Sequence, residues 1–365
     1  MKKLVRCFIL LVLSAALTLP VYAAASSADF QEAIDWLLTH QQRDGGFTTG
    51  FTEGSDLGAT VEVVLAARAA GDDPRLWEPS PLDYLCEQVE AGAVTDAAGW
   101  SRVILGTLAL GANPRDCGGV DAVAQLLATQ ETGSGQFGAS LFAHAYAVLA
   151  LHNAGVEPPQ DAIDLLLETQ TDDGAWAMNA ADAVDTNTTA LAVQALTAVG
   201  EEDVARRALP YFRAMQNDDG GFPWQKPSDY GTATDANSTA VVVQALIALG
   251  ESPETWTAED GTPLDALSAL QDAESGGFQW QAAVPGPNVL ATAQAVQALA
   301  GMSLVDLSAA APDATAPVVE SIQLPESGGF ALTLGDWVIL LGVGVLLTGV
   351  TLRKAAKPER MGKGS

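Results

Sequence analysis

One short phrase recurs along the chain: a glutamine, a few polar residues, then glycine and an aromatic side chain. Four copies are clear and two are looser, and their leading glutamines are Gln42, Gln88, Gln130, Gln170, Gln216 and Gln271. The copies follow one another at intervals of 40 to 55 residues. Such a period predicts a repeat protein, in which each unit buries its apolar face only against neighbouring units.

The runs on either side of each phrase predict helices of two kinds. Nearly apolar runs that end at glycine follow the phrase, as at residues 189–200, 239–250 and 292–301. Amphipathic runs precede it, as at residues 29–41 and 204–216. Apolar helices are buried, whereas amphipathic helices lie at the surface. The sequence therefore predicts an all-α fold of six helical hairpins. An open superhelix is conceivable, but buried inner helices favour closure into an α6/α6 toroid.

The turn phrase, followed by a T-A-x-x-V-Q-A-L run such as residues 189–196, resembles the repeats of the terpenoid cyclase and protein prenyltransferase superfamily. Cobalamin carriers use the same α/α toroid. The resemblance covers about three quarters of the chain and implies the fold. It does not imply a reaction, because function resides in sites that differ between members of one fold.

The catalytic motifs of that superfamily are incomplete in this sequence. The D-x-D-D acid motif of class II cyclases has its nearest counterpart at residues 182–187, which lack one carboxylate. The aspartate, cysteine and histidine that bind zinc in prenyltransferases have no D-x-C counterpart here. His144 and His152 lie about 12 Å apart on one predicted helix, too far to share an ion. We therefore expect no catalytic residue, no metal and no cofactor, and a binding protein rather than an enzyme.

Polar residues stand just before the predicted inner helices, on the rim that also carries the glycine turns. Five of them are candidates for binding a ligand: Asp56, Asp185, Asn187, Asp235 and Asn237. Such side chains also cap helix N-termini, and their recurrence from repeat to repeat favours capping. As ligand contacts, they would act together with the positive ends of the helices.

The aromatic residues of the phrase are predicted to wedge between neighbouring hairpins; they are Phe47, Trp100, Phe137, Trp176, Phe222 and Phe278. Trp224 and Trp280 each lie two residues beyond such an aromatic and are extra to the repeat. An additional tryptophan on a polar rim is suited to line a cavity, so both are included among the candidate ligand-binding residues.

The two ends of the chain predict export and attachment to the cell surface. We assign a signal peptide (1–23), the toroid domain (24–301), a linker (302–329), a transmembrane segment (330–352) and a basic cytoplasmic tail (353–365). The end of the linker resembles the sorting signal of sortase substrates, with serine in place of threonine, at Leu324, Pro325, Glu326, Ser327 and Gly328. Covalent attachment to the wall and a retained membrane anchor both remain open. Either places the toroid at the extracellular face.

The net charge limits the class of partner, and the cysteines offer a possible disulfide. Residues 24–324 carry 42 acidic and nine basic side chains, a net charge near −33. A surface of that charge excludes nucleic acid and anionic lipid as expected partners. The exported part keeps Cys86 and Cys117, which either form a disulfide or stay free.

Three functions fit these observations. The first is a surface module whose barrel mouth binds a small apolar or mixed ligand of the isoprenoid or corrinoid kind, or a surface polymer. The second is a divergent enzyme, related to terpenoid cyclases or acting on polysaccharides through paired carboxylates such as Asp185 and Asp235. The third is a structural or adhesive domain. The missing motifs make the first the expectation.

Overall fold

The computed structural model describes residues 30–49 and 53–307. Within these residues the chain forms α-helices and one small hairpin, β1 (Gln279–Gln281) with β2 (Val284–Pro287). The inner helices are α2 (Leu57–Ala69), α4 (Ala97–Ala109), α6 (Leu141–Asn153), α8 (Thr186–Ala198), α11 (Ala236–Ala248) and α13 (Val289–Leu299). The outer helices are α1 (Gln31–Leu38), α3 (Pro81–Glu90), α5 (Ala122–Ala128), α7 (Gln160–Thr169), α9 (Glu202–Ala205), α10 (Leu209–Met215) and α12 (Pro263–Ser268).

The inner helices form a closed ring. Each packs against the next in chain order, and α13 packs back against α2. One hydrophobic cluster spans this seam and includes Ile34, Val63 and Val296. Outer helices cover the grooves between inner ones, so that α3 contacts both α2 and α4. The fifth outer helix consists of α9 and α10 joined by a 3-10 turn, Arg206–Ala208. The predicted α/α toroid is confirmed, and the open superhelix is not formed.

The inner helices are apolar because they have neighbours on almost every side. In α8, ten of the 13 residues are buried, including Gln194. A helix that is covered all round has no solvent face and therefore no amphipathic pattern. Alanine at many of these positions allows close packing of the inner ring against the outer helices.

The recurring phrase is the joint between consecutive repeats. Gln216 Nε2 donates to the carbonyl of Gly220 in its own turn (2.9 Å) and to that of Trp256 in the next repeat (2.7 Å). Gly220 has a φ of +90°, and a Cβ there would lie 2.5 Å from the backbone of Thr262. Only glycine suits that backbone conformation and that close approach. The glutamine and the glycine thus tie each hairpin to its successor.

Two details of the predicted repeat were wrong. Gln41, not Gln42, makes the joint of the first repeat, because Gln41 Nε2 donates to the carbonyls of Gly45 (3.2 Å) and Pro79 (2.7 Å). The second repeat has no turn phrase: Gln88 lies inside α3 and Trp100 lies inside α4. Trp100 is therefore a buried residue of an inner helix and not a turn aromatic.

A disulfide between Cys86 in α3 and Cys117 in the loop before α5 braces this second repeat. Their Cα atoms are 4.9 Å apart, and 31 positions separate them in sequence. Closing a loop of that length stabilises the folded state by about 3 to 4 kcal/mol through chain entropy. The covalent link joins the second repeat to the third where the glutamine and glycine joint is missing.

The segment 302–307 packs onto the barrel, although the sequence assigned it to the linker. Met302, Leu304 and Leu307 are buried. The Leu304 N–H donates to Gln194 Oε1 (2.9 Å), and Asn153 Nδ2 donates to the Leu304 carbonyl (2.8 Å). Asn153 is the last residue of α6. The segment therefore packs against α6 and α8, and the toroid domain extends past residue 301.

The remaining predictions about the ends of the chain lie outside the described residues. These are the signal peptide, the rest of the linker with its sorting motif, the transmembrane segment and the basic tail. Within residues 30–49 and 53–307, none of the helices has the length and hydrophobicity needed to cross a membrane.

Candidate binding pocket at the barrel mouth

Every inner helix begins with a side chain that caps it. The capping oxygen accepts a hydrogen bond from the amide three residues later, and the caps are Asp56, Asp96, Ser140, Asp185, Asp235 and Asn288. The three predicted rim aspartates Asp56, Asp185 and Asp235 are therefore capping residues. Capping satisfies amides that have no partner within the helix.

A second residue, four positions after the cap, ties the helix to the turn. In the fourth repeat, Thr189 Oγ1 accepts from the Trp176 N–H (3.0 Å) and donates to the Asp185 carbonyl (2.7 Å). In the third repeat His144 takes this place: its Nδ1 accepts from the Phe137 N–H (2.9 Å). The ring is buried, and burial lowers its pKa. His144 is thus a structural residue, whose other ring nitrogen contacts the Ala162 carbonyl (2.9 Å).

Three hydrogen bonds fasten the loop after Phe222 onto the N-terminus of α8. The Thr186 N–H donates to the Trp224 carbonyl (2.9 Å), and its hydroxyl donates to the Pro223 carbonyl (2.8 Å). Gln225 Nε2 donates to the Val184 carbonyl (3.0 Å). These bonds place Trp224 between the first turns of α8 and α11.

The result is a pocket of about 310 Å³ at the N-terminal ends of α8 and α11. It brings together five of the seven predicted ligand-binding residues: Asn187, Trp224, Asp235, Asn237 and Trp280. Trp224 and Trp280 are 37% and 43% exposed, which leaves part of each ring accessible from solvent. Asp185 adjoins the pocket through Trp224, whereas Asp56 caps α2 in the first repeat and does not line it.

Tyr230 lines the same pocket and was not predicted. Its ring centroid lies 6.3 Å from that of Trp224, and the side chain is 90% exposed. It belongs to the long segment between Phe222 and the cap Asp235, which has no counterpart of the same length in the other repeats. Alignment of the repeats therefore gives no signal for it.

The two carboxylates beside Trp224 are buried, with 1% of Asp185 and 3% of Asp235 exposed. Burial raises the pKa of both. Hydrogen bonds from the capped amides of Thr188 and Ser238 oppose that rise. Trp224 also favours the charged forms, through its side chain at Asp185 and its backbone at Asp235. Each carboxylate is thus a costly buried charge that the helix N-terminus offsets.

Two buried oxygen atoms of pocket-lining residues make no hydrogen bond with any residue that the structure describes: Asn187 Oδ1 and Ser238 Oγ. Ser238 lies close enough to Asp235 to lower its pKa, but its hydroxyl has no partner in hydrogen-bonding geometry. Buried polar atoms are almost always paired in folded proteins. These two oxygen atoms of pocket-lining residues are therefore unpaired hydrogen-bonding groups.

A polar layer lies deeper in the barrel, below the pocket. Asn237 Nδ2 donates to Gln294 Oε1 (2.7 Å), and farther in Gln297 Nε2 donates to Glu62 Oε2 (2.8 Å). The Tyr146 hydroxyl donates to Glu62 Oε1 (3.0 Å). Burial, with the nearby Glu62 carboxylate, raises the pKa of this tyrosine. The lumen beneath the rim is thus lined in part by hydrogen-bonding side chains.

The sequence reasoning missed this layer, although the signal was present. Glu62, Arg102, Tyr146 and Gln294 each stand six residues after the cap of their helix. A charged or polar side chain in the middle of an otherwise apolar helix indicates a helix face that does not pack against apolar side chains. Among residues 30–49 and 53–307, no group of three or more histidine, cysteine or acidic side chains is placed to hold a metal ion.

Comparison with known proteins supports the same fold. The family model of the prenyltransferase alpha-alpha toroid domain matches residues 3–93, 129–240 and 226–337. Sequence comparison with curated proteins gives no match.

Three solved structures illustrate the range of proteins that share this architecture. A type II terpene cyclase from Scytonema is 17% identical, with a TM-score of 0.53 over 75% of this chain and 97% of that one. Protein geranylgeranyltransferase-I of Candida albicans is 11% identical, with a TM-score of 0.52 over 75% and 90%. The unsaturated glucuronyl hydrolase of Bacillus sp. GL1 is 12% identical, with a TM-score of 0.52 over 75% and 95%.

At such identities the likeness extends to the fold and not to the reaction. The family model, by contrast, matches most of the chain in three segments. The chain belongs to the prenyltransferase alpha-alpha toroid domain family.

Proposed function

We propose that this protein is a ligand-binding module whose site is the pocket between Trp224 and Trp280. The ligand has a flat apolar face, which lies against the tryptophans, and hydrogen-bonding groups, which meet Asn187 and Ser238. The observation that carries the proposal is the meeting of part-exposed tryptophans and unpaired buried oxygens in one pocket. Convergent polar groups within an apolar concave surface are typical of ligand sites.

Catalysis at the same pocket is the second candidate, and one observation favours it. Asp185 and Asp235 flank Trp224, and burial raises the pKa of both carboxyls. A carboxyl with a raised pKa can act as a general acid. Binding remains the main proposal because both side chains already cap helices. Turnover of a glycan or terpenoid that disappears in Asp235→Asn but persists in Asp56→Asn would favour the enzyme.

Export and surface attachment remain part of the proposal. The disulfide Cys86–Cys117 supports them, because such bonds persist in oxidising compartments. The mass of the mature protein tests the mode of attachment. A chain that ends at Ser327 after digestion of the wall indicates sorting, and a chain that keeps residues 330–365 indicates a retained anchor.

The binding proposal predicts different effects for exposed and buried aromatics. Trp224→Ala and Trp280→Ala should weaken binding with only a modest loss of stability, since both rings are part-exposed; the loss should be larger for Trp224, whose side chain also favours the charged form of Asp185. Phe222→Ala and Phe278→Ala remove fully buried rings and should cost about 3 to 5 kcal/mol of folding free energy. Thermal shift of the full-length protein with a chito-oligosaccharide, a prenyl alcohol and a corrinoid provides the measurement. If no ligand shifts the melt, or the tryptophan variants bind like the wild type, the proposal fails.

A further inference from the structure

A second, larger cavity adjoins the pocket at the barrel mouth. This cavity has a volume of about 740 Å³ and shares Ala233 and Gln281 with the first. It lies between the turn of the fifth repeat, the start of α12 and the loop that joins β1 to β2. Its volume alone is in the range of sites for drug-sized ligands. We call the two adjoining cavities the groove; a ligand longer than a single ring system could contact both.

The walls of the second cavity are acidic. Four carboxylates line it, those of Asp218, Asp219, Asp260 and Asp265, against one lysine, Lys226. Lys226 Nζ donates to Asn217 Oδ1 (3.2 Å), and no ion pair within the described ranges joins it to these acids. The positive charge of the lysine is therefore not tied to any one of the four carboxylates.

Two of these carboxylates accept hydrogen bonds from neighbouring residues, and the other two do not. Asp219 Oδ1 accepts from the Thr234 hydroxyl (2.7 Å), and Asp265 Oδ2 accepts from the Thr262 N–H (2.9 Å). Asp218 and Asp260 are exposed, and their carboxylates make no hydrogen bond within the structurally described ranges. Both can therefore pair with a ligand without losing a bond in the protein.

We propose that this groove binds a glycan that carries free amino groups, such as a polymer with glucosamine units. The inference rests on the proposed binding function and names its ligand class. Faces of sugar rings stack on Trp224 and Trp280, and hydroxyls reach the unpaired oxygens of Asn187 and Ser238. Ammonium groups meet Asp218 and Asp260 in the second cavity. An acidic glycan is repelled, because the exported part of the chain carries a net charge near −33.

The test compares a glucosamine oligosaccharide with its N-acetylated counterpart of equal length. The full-length protein should bind the amine form about three- to tenfold more tightly at low salt, because two solvent-exposed charge pairs give a modest gain. High salt should remove the preference. Asp218→Asn with Asp260→Asn should also remove it and leave the affinity for the acetylated form unchanged.

A matched control removes two exposed carboxylates outside the groove. Asp172 occupies in the fourth repeat the position of Asp218 in the fifth, and Asp203 is equally exposed. Asp172→Asn with Asp203→Asn reduces the net negative charge by the same amount and should keep the preference. If this control loses the preference as well, the effect is one of net charge and the proposed groove is wrong.

Further outcomes separate this inference from the binding proposal. Equal affinity for both oligosaccharides, weakened by Trp224→Ala, overturns the amino-glycan assignment and supports the pocket. A lysine oligopeptide that binds where neither oligosaccharide does, and depends on Asp218 and Asp260, identifies a peptide partner and overturns the glycan. Failure of every probe, with Trp224→Ala behaving like the wild type, overturns both proposals.

Discussion

Asp185 illustrates how one side chain serves the fold at a cost. Its carboxylate accepts from the Thr188 amide (2.7 Å) and so caps α8, but only 1% of the residue is exposed. The same position in the sixth repeat is Asn288, which caps α13 through the Ala291 amide (2.9 Å) without a charge. The repeat itself thus contains an uncharged version of this cap.

Asp185→Asn should therefore be at least as stable as the wild type at neutral pH. Burial raises the pKa of the folded-state carboxyl above its ordinary value, so at a pH above that pKa the folded protein carries a charge that burial penalises. The penalty is relieved as the pH falls through the folded-state pKa, and the advantage of the variant should shrink there. Asp185→Ala loses the cap and should lie about 0.5 to 2 kcal/mol below Asp185→Asn. Urea unfolding at pH 7 and pH 4 measures the stability of both variants against that of the wild type. An Asp185→Asn protein that is less stable than the wild type at pH 7 would show that the buried charge is not a net cost.

The individual candidates for the site could be predicted from the sequence only in part. Asn187, Asp235 and Asn237 were found because they recur at equivalent positions, and Trp224 and Trp280 because they do not belong to the repeat. Which of them meet depends on the curvature of the ring, which places α8 beside α11 and leaves Asp56 elsewhere. Tyr230 lies in an insertion, where periodicity carries no information.

Among the structural elements, the turn is the one that connects each hairpin to the next. Its glutamine and glycine both contact the following outer helix or the segment just before it, so the phrase encodes a contact between repeats. The register of the first copy was misjudged because two glutamines adjoin there. Counting back from the aromatic resolves it, since Gln170 and Gln216 precede theirs by six residues, as Gln41 does.

A pair of glycine variants isolates this contact. Gly220 and Gly250 both have positive φ, +90° and +69°, so alanine is strained at either. A Cβ at Gly220 would lie 2.5 Å from the Thr262 backbone, whereas one at Gly250 would meet nothing within 4 Å. Gly250→Ala should cost about 1 to 2 kcal/mol. Gly220→Ala should cost several kcal/mol more, because the neighbouring backbone must move; equal losses in urea unfolding would show that the joint is not tight.

Across the whole molecule, ring closure makes the first and last repeats neighbours. Gly276 of the sixth repeat lies against α1, where a Cβ would be 2.5 Å from that of Glu32. Closure could be predicted from sequence because six nearly apolar helices find enough partners only in a ring. The packing of residues 302–307 onto the ring could not, since a short segment after the last repeat has no periodicity.

Gly276→Ala therefore tests closure. In a closed ring, strain at the seam should lower the protection of backbone amides in α8, on the far side, as well as in α1. In an open array only the terminal helices would lose protection. Hydrogen exchange read by mass spectrometry distinguishes the two, with Gly250→Ala as a control that has a strained backbone but no clash. Unchanged exchange in α8 would argue against a cooperative ring.

The segment 302–307 ties the residues that follow the sixth repeat to the middle of the ring. The Leu304 N–H donates to Gln194 Oε1 in α8, and its carbonyl accepts from Asn153 Nδ2 in α6. Those helices belong to the fourth and third repeats, so the last described residues depend on helices far from them in sequence. A chain cut before residue 302 would leave both side chains without these bonds, and the folded unit is therefore longer than its six repeats.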